Sequence, residues 1–113
     1  MAATSYIPER GDIVWLTFSP QAGHEQAGRR PALVLSPRAY NAATSLMIAC
    51  PVTSHQKGYP FEVVLPQGAS IQGVVLADHV KSFDWRARNI AFIETVSDIV
   101  VKEVAEHLAR LLP

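Results

Sequence analysis

Ile90-Ala-Phe-Ile-Glu-Thr95, continued by Val96-Ser-Asp-Ile-Val-Val-Lys-Glu-Val-Ala-Glu-His-Leu-Ala-Arg-Leu-Leu112, holds the change of period that decides the fold. The first six residues are rich in β-branched and aromatic side chains and read as a strand. Beyond them Val100, Val104, Leu108 and Leu111, with Val101, Ala105 and Leu112, recur at helical spacing, while Lys102, Glu103, Glu106 and Arg110 take the other side. Ser97 or Thr95 is placed to cap this helix, and Asp98 in its first turn complements the dipole. His107 falls on the charged side and is expected to face solvent. The chain therefore reads as strands followed by one amphipathic C-terminal helix.

Upstream, the strands are short and closely punctuated. Gly11-Asp12 opens the run Ile-Val-Trp-Leu-Thr-Phe18, which Ser19-Pro20 stops. Residues 20–30 carry two glycines and no period, and read as a loop. Pro31-Ala-Leu-Val-Leu35 is a second strand, with its proline tolerable at the first position or on an edge. Ser36-Pro37-Arg-Ala-Tyr-Asn-Ala-Ala43 reads as a short helical turn with Ser36 as N-cap and Pro37 at the first helical position. Leu46-Met-Ile-Ala-Cys-Pro-Val-Thr53 is a third strand and Ser54-His-Gln-Lys-Gly-Tyr-Pro60 a loop. Phe61–Leu65 and Gly73–Ala77 are short strands around a turn-rich segment, and Val80–Phe83 extends the sheet. Five to seven short strands and one helix make a mainly β chain, a small and strongly bent sheet or barrel.

Composition narrows the function classes. The chain has 113 residues, 49% hydrophobic and 18% charged, with 10 Lys+Arg against 10 Asp+Glu and one cysteine. That length suits one domain, and the apolar share excludes intrinsic disorder. No run approaches the roughly 18 apolar residues of a membrane span, and Met1–Arg10 lacks the features of a signal peptide. Cys50 alone cannot form an intramolecular disulfide, which suits a reducing cytosol. The low charge fits surface hidden in an oligomer, or equally a polar uncharged surface. Zero net charge argues against a non-specific nucleic-acid coat, but the distribution is uneven. From Gly23 to Lys57 four bases, Arg29, Arg30, Arg38 and Lys57, face one acid, Glu25.

The chemistry-bearing residues cluster in that basic stretch. His24, His55, His79 and His107 show no paired ligand spacing, so no metal site is expected, and no Gly-rich phosphate cradle or nucleophile elbow occurs. In His24-Glu25-Gln-Ala-Gly-Arg29-Arg30-Pro31 a carboxylate precedes a guanidinium by five residues. Arginine suits bidentate phosphate recognition and glutamate supplies proton chemistry that arginine does not easily supply. By pattern alone the pair reads first as an ordinary surface ion pair worth about 0–1 kcal/mol. Thr53-Ser54-His55-Gln56-Lys57 adds hydroxyls, an imidazole and an ammonium, or is simply a solvated loop. Trp15, Phe18, Phe83 and Trp85 read as core or interface aromatics, and Cys50 as a small buried hydrophobe.

Gly11-Asp-Ile-Val-Trp15, Glu25-Gln-Ala-Gly28, Arg30-Pro-Ala-Leu-Val-Leu-Ser-Pro37, Lys57-Gly-Tyr-Pro-Phe-Glu-Val-Val-Leu65, Ala77-Asp78, Val80-Lys-Ser82 and Trp85-Arg-Ala-Arg88 together resemble the MazF branch of the MazF/PemK toxins, bacterial mRNA interferases of toxin–antitoxin modules. The likeness spans nearly the whole chain. It implies a single toxin domain over residues 1–113, an SH3-like small barrel with a C-terminal helix, acting as a cytoplasmic homodimer. It implies metal-independent, cofactor-free cleavage of single-stranded RNA at a short motif, leaving a 2′,3′-cyclic phosphate and a 5′-hydroxyl. It also implies a cognate MazE-like antitoxin whose acidic segment covers the RNA groove and folds on binding.

Carried over by motif, the family's catalytic arginine falls on Arg30, its catalytic threonine on Thr53 and its loop carboxylate on Glu25. Glu25 is then expected as base, Arg30 as phosphate clamp and Thr53 as donor to a non-bridging oxygen. His24, Arg29, Ser54, His55, Lys57, Asp78, Lys81 and Arg86 are expected to bind RNA, some from the partner subunit. Departures exist as well. The position before the catalytic arginine can be histidine in the family and is Arg29 here. Some PemK-type members carry arginine two residues before the aspartate matched by Asp78, where this chain has Leu76. Non-catalytic toxins of the same fold that poison gyrase end in Trp-Gly-Ile, whereas this chain ends Arg110-Leu-Leu-Pro113; a barrel kept only for protein binding would not need Glu25, Arg30 and Thr53.

Overall fold

The computed structural model describes residues 6–18 and 28–112. Among them, seven strands and two helices run in the order β1 (Asp12–Phe18), β2 (Gly28–Val34), α1 (Arg38–Thr44), β3 (Leu46–Thr53), β4 (Glu62–Val64), β5 (Val74–Leu76), β6 (Lys81–Asp84), β7 (Ala91–Thr95) and α2 (Asp98–Leu111). Single 3-10 turns lie at Ala77–His79 and Trp85–Ala87. The strands pair antiparallel in the order β4-β5-β3-β2-β1-β7, with β6 on the first half of β3. The result is the expected small barrel left open at one seam. Glu94 of β7 bridges that seam, its carboxylate accepting the N–H groups of Ser70 and Ile71, from the β4–β5 loop, at 3.1 Å each. No helix among the described residues is long and apolar enough to cross a membrane.

Both faces of the central strands are covered, which is why they read as nearly continuous apolar runs. Ile13, Leu33, Cys50 and Val52 join Val63, Val75 and the α2 residues Val100, Val101 and Val104 on one side. Val14, Leu16, Phe18, Ala32, Val34, Met47 and Ala49 join Phe83 and Trp85 on the other. Phe18, Phe83 and Trp85 are thus core aromatics, while Trp15 is half-buried.

Three local expectations are corrected. Gly28, Arg29 and Arg30 belong to β2 rather than to a loop, because the hairpin with β1 continues through Leu16↔Arg30, Thr17↔Arg29 and Phe18↔Gly28. Ser36 does not cap α1. Its hydroxyl is committed to the Asn41 side chain at 2.6 Å and the Ile48 N–H at 2.8 Å, and the Glu9 carboxylate takes the Arg38 N–H at 2.9 Å instead. His107 is half-buried, edge-on to Phe61 with ring centroids 5.8 Å apart. Helical period alone cannot reveal a ring supplied from 46 positions upstream. At the other end of α2, Ser97 caps as expected, accepting the Ile99 N–H at 3.1 Å.

Two prolines set where the sheet parts. Pro31 lies mid-strand, paired with Trp15 of β1, while the β2–β3 register runs only Val34↔Ala49, Leu33↔Cys50 and Ala32↔Pro51. Proline has no N–H to give a ladder. The β2–β3 pairing therefore stops at these residues, and the strand ends beyond them are released.

Candidate active site

Carrying the β2–β3 register two residues past Ala32↔Pro51 sets Arg30 opposite Thr53, with side chains on the same face of the sheet. Both line one cleft of about 610 Å³, shared with His55, Lys57, Tyr59, Glu62, Leu76, Asp78 and His79. Four chain segments meet there: the start of β2, the end of β3 with the loop 54–60 and β4, the end of β5, and the 3-10 turn Ala77–His79. Thr53 is 9% exposed and Arg30 half-buried, while His55, Lys57, Asp78 and His79 face solvent.

Local hydrogen bonds fix this arrangement. The Thr53 hydroxyl oxygen accepts the His55 N–H at 3.2 Å. A hydroxyl has two lone pairs and one proton, so Thr53 retains its proton for a further acceptor. The Glu62 carboxylate accepts the N–H of Lys57 at 3.2 and 3.1 Å, one to each oxygen, and that of Gly58 at 2.9 Å. The Lys57 ammonium lies 5.9 Å from the Tyr59 ring centroid. Beneath the cleft, Gly73 at φ +129° approaches the strand end so closely that a Cβ would stand 2.1 Å from the Thr53 carbonyl oxygen. Only glycine allows that contact. Cys50 is fully buried, its thiol donating to the Ala77 carbonyl at 3.6 Å; burial, and secondarily the Asp78 charge, push its pKa up to about 12.

Of the residues singled out from sequence, Arg30, Thr53, His55, Lys57 and Asp78 come together in the cleft. Ser54 is exposed beside Thr53 but does not line it. Arg29, Lys81 and Arg86 lie elsewhere. Arg29 donates to the Asn89 carbonyl, and the Lys81 ammonium sits 5.5 Å over the Phe83 ring. Arg86 stacks at 4.2 Å on Trp85, donates to Ser45 Oγ at 2.9 Å, and lines a separate groove with Tyr6, Asp12, Arg38 and Phe92. His24 and Glu25 fall outside the described residues. Tyr59, Glu62, Leu76 and His79 were not singled out as lining residues. The acid of Lys57-Gly-Tyr-Pro-Phe-Glu62, following a glycine turn, was the one available signal for Glu62.

The arrangement offers a planar guanidinium, an ammonium, a hydroxyl donor and two imidazoles around an open cleft that also holds the Glu62 and Asp78 carboxylates, and its donors suit a phosphodiester. Residues 9–112 match the model of the PemK-like, MazF-like toxin of type II toxin–antitoxin systems. The endoribonuclease toxin MazF of Escherichia coli K12 is 52% identical over 92 residues, covering 81% of this chain and 82% of that protein. The crystal structure of MazF (Form-I) from Deinococcus radiodurans superposes with a TM-score of 0.91 at 58% identity, covering 96% of this chain and 98% of the other. A MazE–MazF complex (Form-II) from the same organism gives 0.87 at 58% identity, with 96% and 97% covered.

Proposed function

Because this chain belongs to the PemK-like, MazF-like toxin family of type II toxin–antitoxin systems, we propose that it is an endoribonuclease toxin that cuts single-stranded RNA, mRNA above all, at a short sequence motif. Residues 1–113 act as one toxin domain, a homodimer in the cytoplasm, held silent by a cognate MazE-like antitoxin; the similar MazE–MazF structure supports such a partner. The observation that carries this reading is the placement of Arg30 and Thr53 in one cleft at the parted ends of β2 and β3.

Cleavage without a resident metal has three requirements. The 2′-hydroxyl loses a proton, its oxygen bonds to phosphorus, and the phosphorus–5′-oxygen bond breaks as that oxygen gains a proton. The products are a 2′,3′-cyclic phosphate and a 5′-hydroxyl. Arg30 clamps the phosphate with its planar fork and stabilises the charge that grows on the phosphorane. Thr53 donates its hydroxyl proton to a non-bridging oxygen. Glu25, placed by its Glu25-Gln-Ala-Gly28 context, takes the 2′-hydroxyl proton. Arg30, or a water bound in the cleft, protonates the leaving oxygen. His55 and Lys57 hold the strand, and Asp78 reads a splayed base on its edge. His24, Arg29, Ser54, Lys81 and Arg86 extend the RNA path or complete pockets across the homodimer.

The test is direct. Purified protein incubated with a long single-stranded RNA in EDTA is expected to give discrete fragments ending in 2′,3′-cyclic phosphate and beginning with 5′-hydroxyl. Intact RNA, or fragments with 5′-phosphate ends, would overturn the reading.

A further inference from the structure

A carboxylate in a cleft that holds a polyanion calls for a reason, and Glu62 has one in its geometry. It projects from β4 and takes two successive backbone donors of the loop 54–60, the N–H groups of Lys57 and Gly58. Gly58, at φ +81°, allows the turn that aims both donors at one acceptor. The same loop is tied upstream by the Thr53 hydroxyl to the His55 N–H, and closed downstream by the Glu62 N–H on the Tyr59 carbonyl at 3.1 Å. His55, Lys57 and Tyr59, the three loop side chains that line the cleft, all stand on this tied backbone.

We propose that Glu62 is a positioning residue that strengthens RNA binding despite its charge. By clipping the 57–58 peptide it holds the Lys57 ammonium and the His55 imidazole over the cleft before RNA arrives, so the loop is not ordered at the expense of affinity. Two peptide dipoles point at its carboxylate and offset its repulsion of phosphate. This inference rests on the reading of the cleft as an RNA site.

The two roles open to such a carboxylate have opposite signs. As a bare negative charge, its removal tightens RNA binding; as a clip, its removal weakens it. The probe is a short single-stranded oligonucleotide spanning a site that the wild type cuts, 2′-deoxy throughout so that it binds uncut. Glu62→Ala is expected to weaken binding about tenfold, as loss of a charge-assisted hydrogen-bond set would. The salt dependence of log affinity should become shallower by about 0.7, the share of one phosphate contact on a single strand. Glu62→Gln, which keeps size and one acceptor, should weaken binding about threefold and carries the test alone if Glu62→Ala does not fold. Added to Lys57→Ala, Glu62→Ala should cost clearly less than the tenfold it costs alone, because the Lys57 share of the loss is already gone and the His55 share remains. On unmodified RNA the loss should fall on KM rather than kcat. Equal or tighter binding by either Glu62 variant, or losses that multiply in the Lys57→Ala background, would overturn the proposal. Wild-type protein that neither binds nor cuts single-stranded RNA would instead overturn the reading of the cleft itself.

Discussion

Among the described residues, the polar cluster at the start of β1 and the one at the parted ends of β2 and β3 are built in opposite ways. Asp12 is 4% exposed, and its carboxylate accepts the Tyr6 hydroxyl at 2.6 Å, the Glu9 N–H at 3.0 Å and the Thr95 hydroxyl at 3.0 Å. The hydrogen bonds of that carboxylate all run to other groups of the protein, although Tyr6, Asp12 and Thr95 also line the groove shared with Arg86. Burial, with the hydrogen bond to Asp12 next, holds the Tyr6 phenol well above its ordinary pKa. Around Arg30 and Thr53 the polar groups face a cleft, and the Thr53 hydroxyl keeps a proton to donate. Polar groups turned inward hold a fold together; polar groups aimed at open space serve a ligand.

Mutations at each place test that contrast. The largest effect on stability belongs to the inward cluster. Asp12→Ala strands three donors and is expected to lower the unfolding free energy by about 3–4 kcal/mol, while molecules still folded cleave RNA at the wild-type rate. Chemical denaturation and an active-site titration read the two quantities apart. A stability loss under about 1 kcal/mol would dissolve the contrast.

Gly73→Ala sits between the clusters in kind. It introduces a Cβ 2.1 Å from the Thr53 carbonyl at a φ that L residues avoid. A stability loss of about 2 kcal/mol with a parallel fall in single-turnover cleavage is expected, since the backbone that must move carries Thr53. Unchanged cleavage would show that the strand end need not be placed so closely.

A further effect is confined to alkaline pH. Cys50 rises from 9.0 to about 12 on folding, and Tyr6 is raised too, so the folded protein holds both protons more tightly than the unfolded chain. The stability this contributes is complete below the unfolded values and is lost as pH climbs toward the folded ones. From pH 9 upward the unfolding free energy should fall, with Cys50 contributing a slope of up to about 1.4 kcal/mol per pH unit. Cys50→Ala should flatten that slope; an unchanged slope would contradict the burial of the thiol as its cause.

Where local chemistry decides structure, the residues announce it. β3 follows the apolar run Leu46–Thr53 residue for residue, and α2 follows the helical spacing of Val100, Val104 and Leu108. Where a distant partner decides, they do not. Gly28-Arg29-Arg30 has no strand chemistry of its own and is extended because β1 pairs with it. Ser36 lost the cap to Glu9, which is 29 positions from Arg38, and His107 found cover under Phe61. The same division runs through the site. Arg30 and Thr53 were legible through family motifs, and the register explains why they meet. Glu62 and His79 were not, because the cleft is assembled from four segments that no local pattern joins.

Single-turnover cleavage of a defined single-stranded RNA by Arg30→Ala, measured beside its unfolding midpoint, probes the outward cluster most directly. The rate is expected to fall by about 10²–10³, as loss of one preorganised charge donor does elsewhere, with the midpoint nearly unmoved. A folded Arg30→Ala protein that cuts at close to the wild-type rate would contradict the assignment of this cleft as the place where RNA is cleaved.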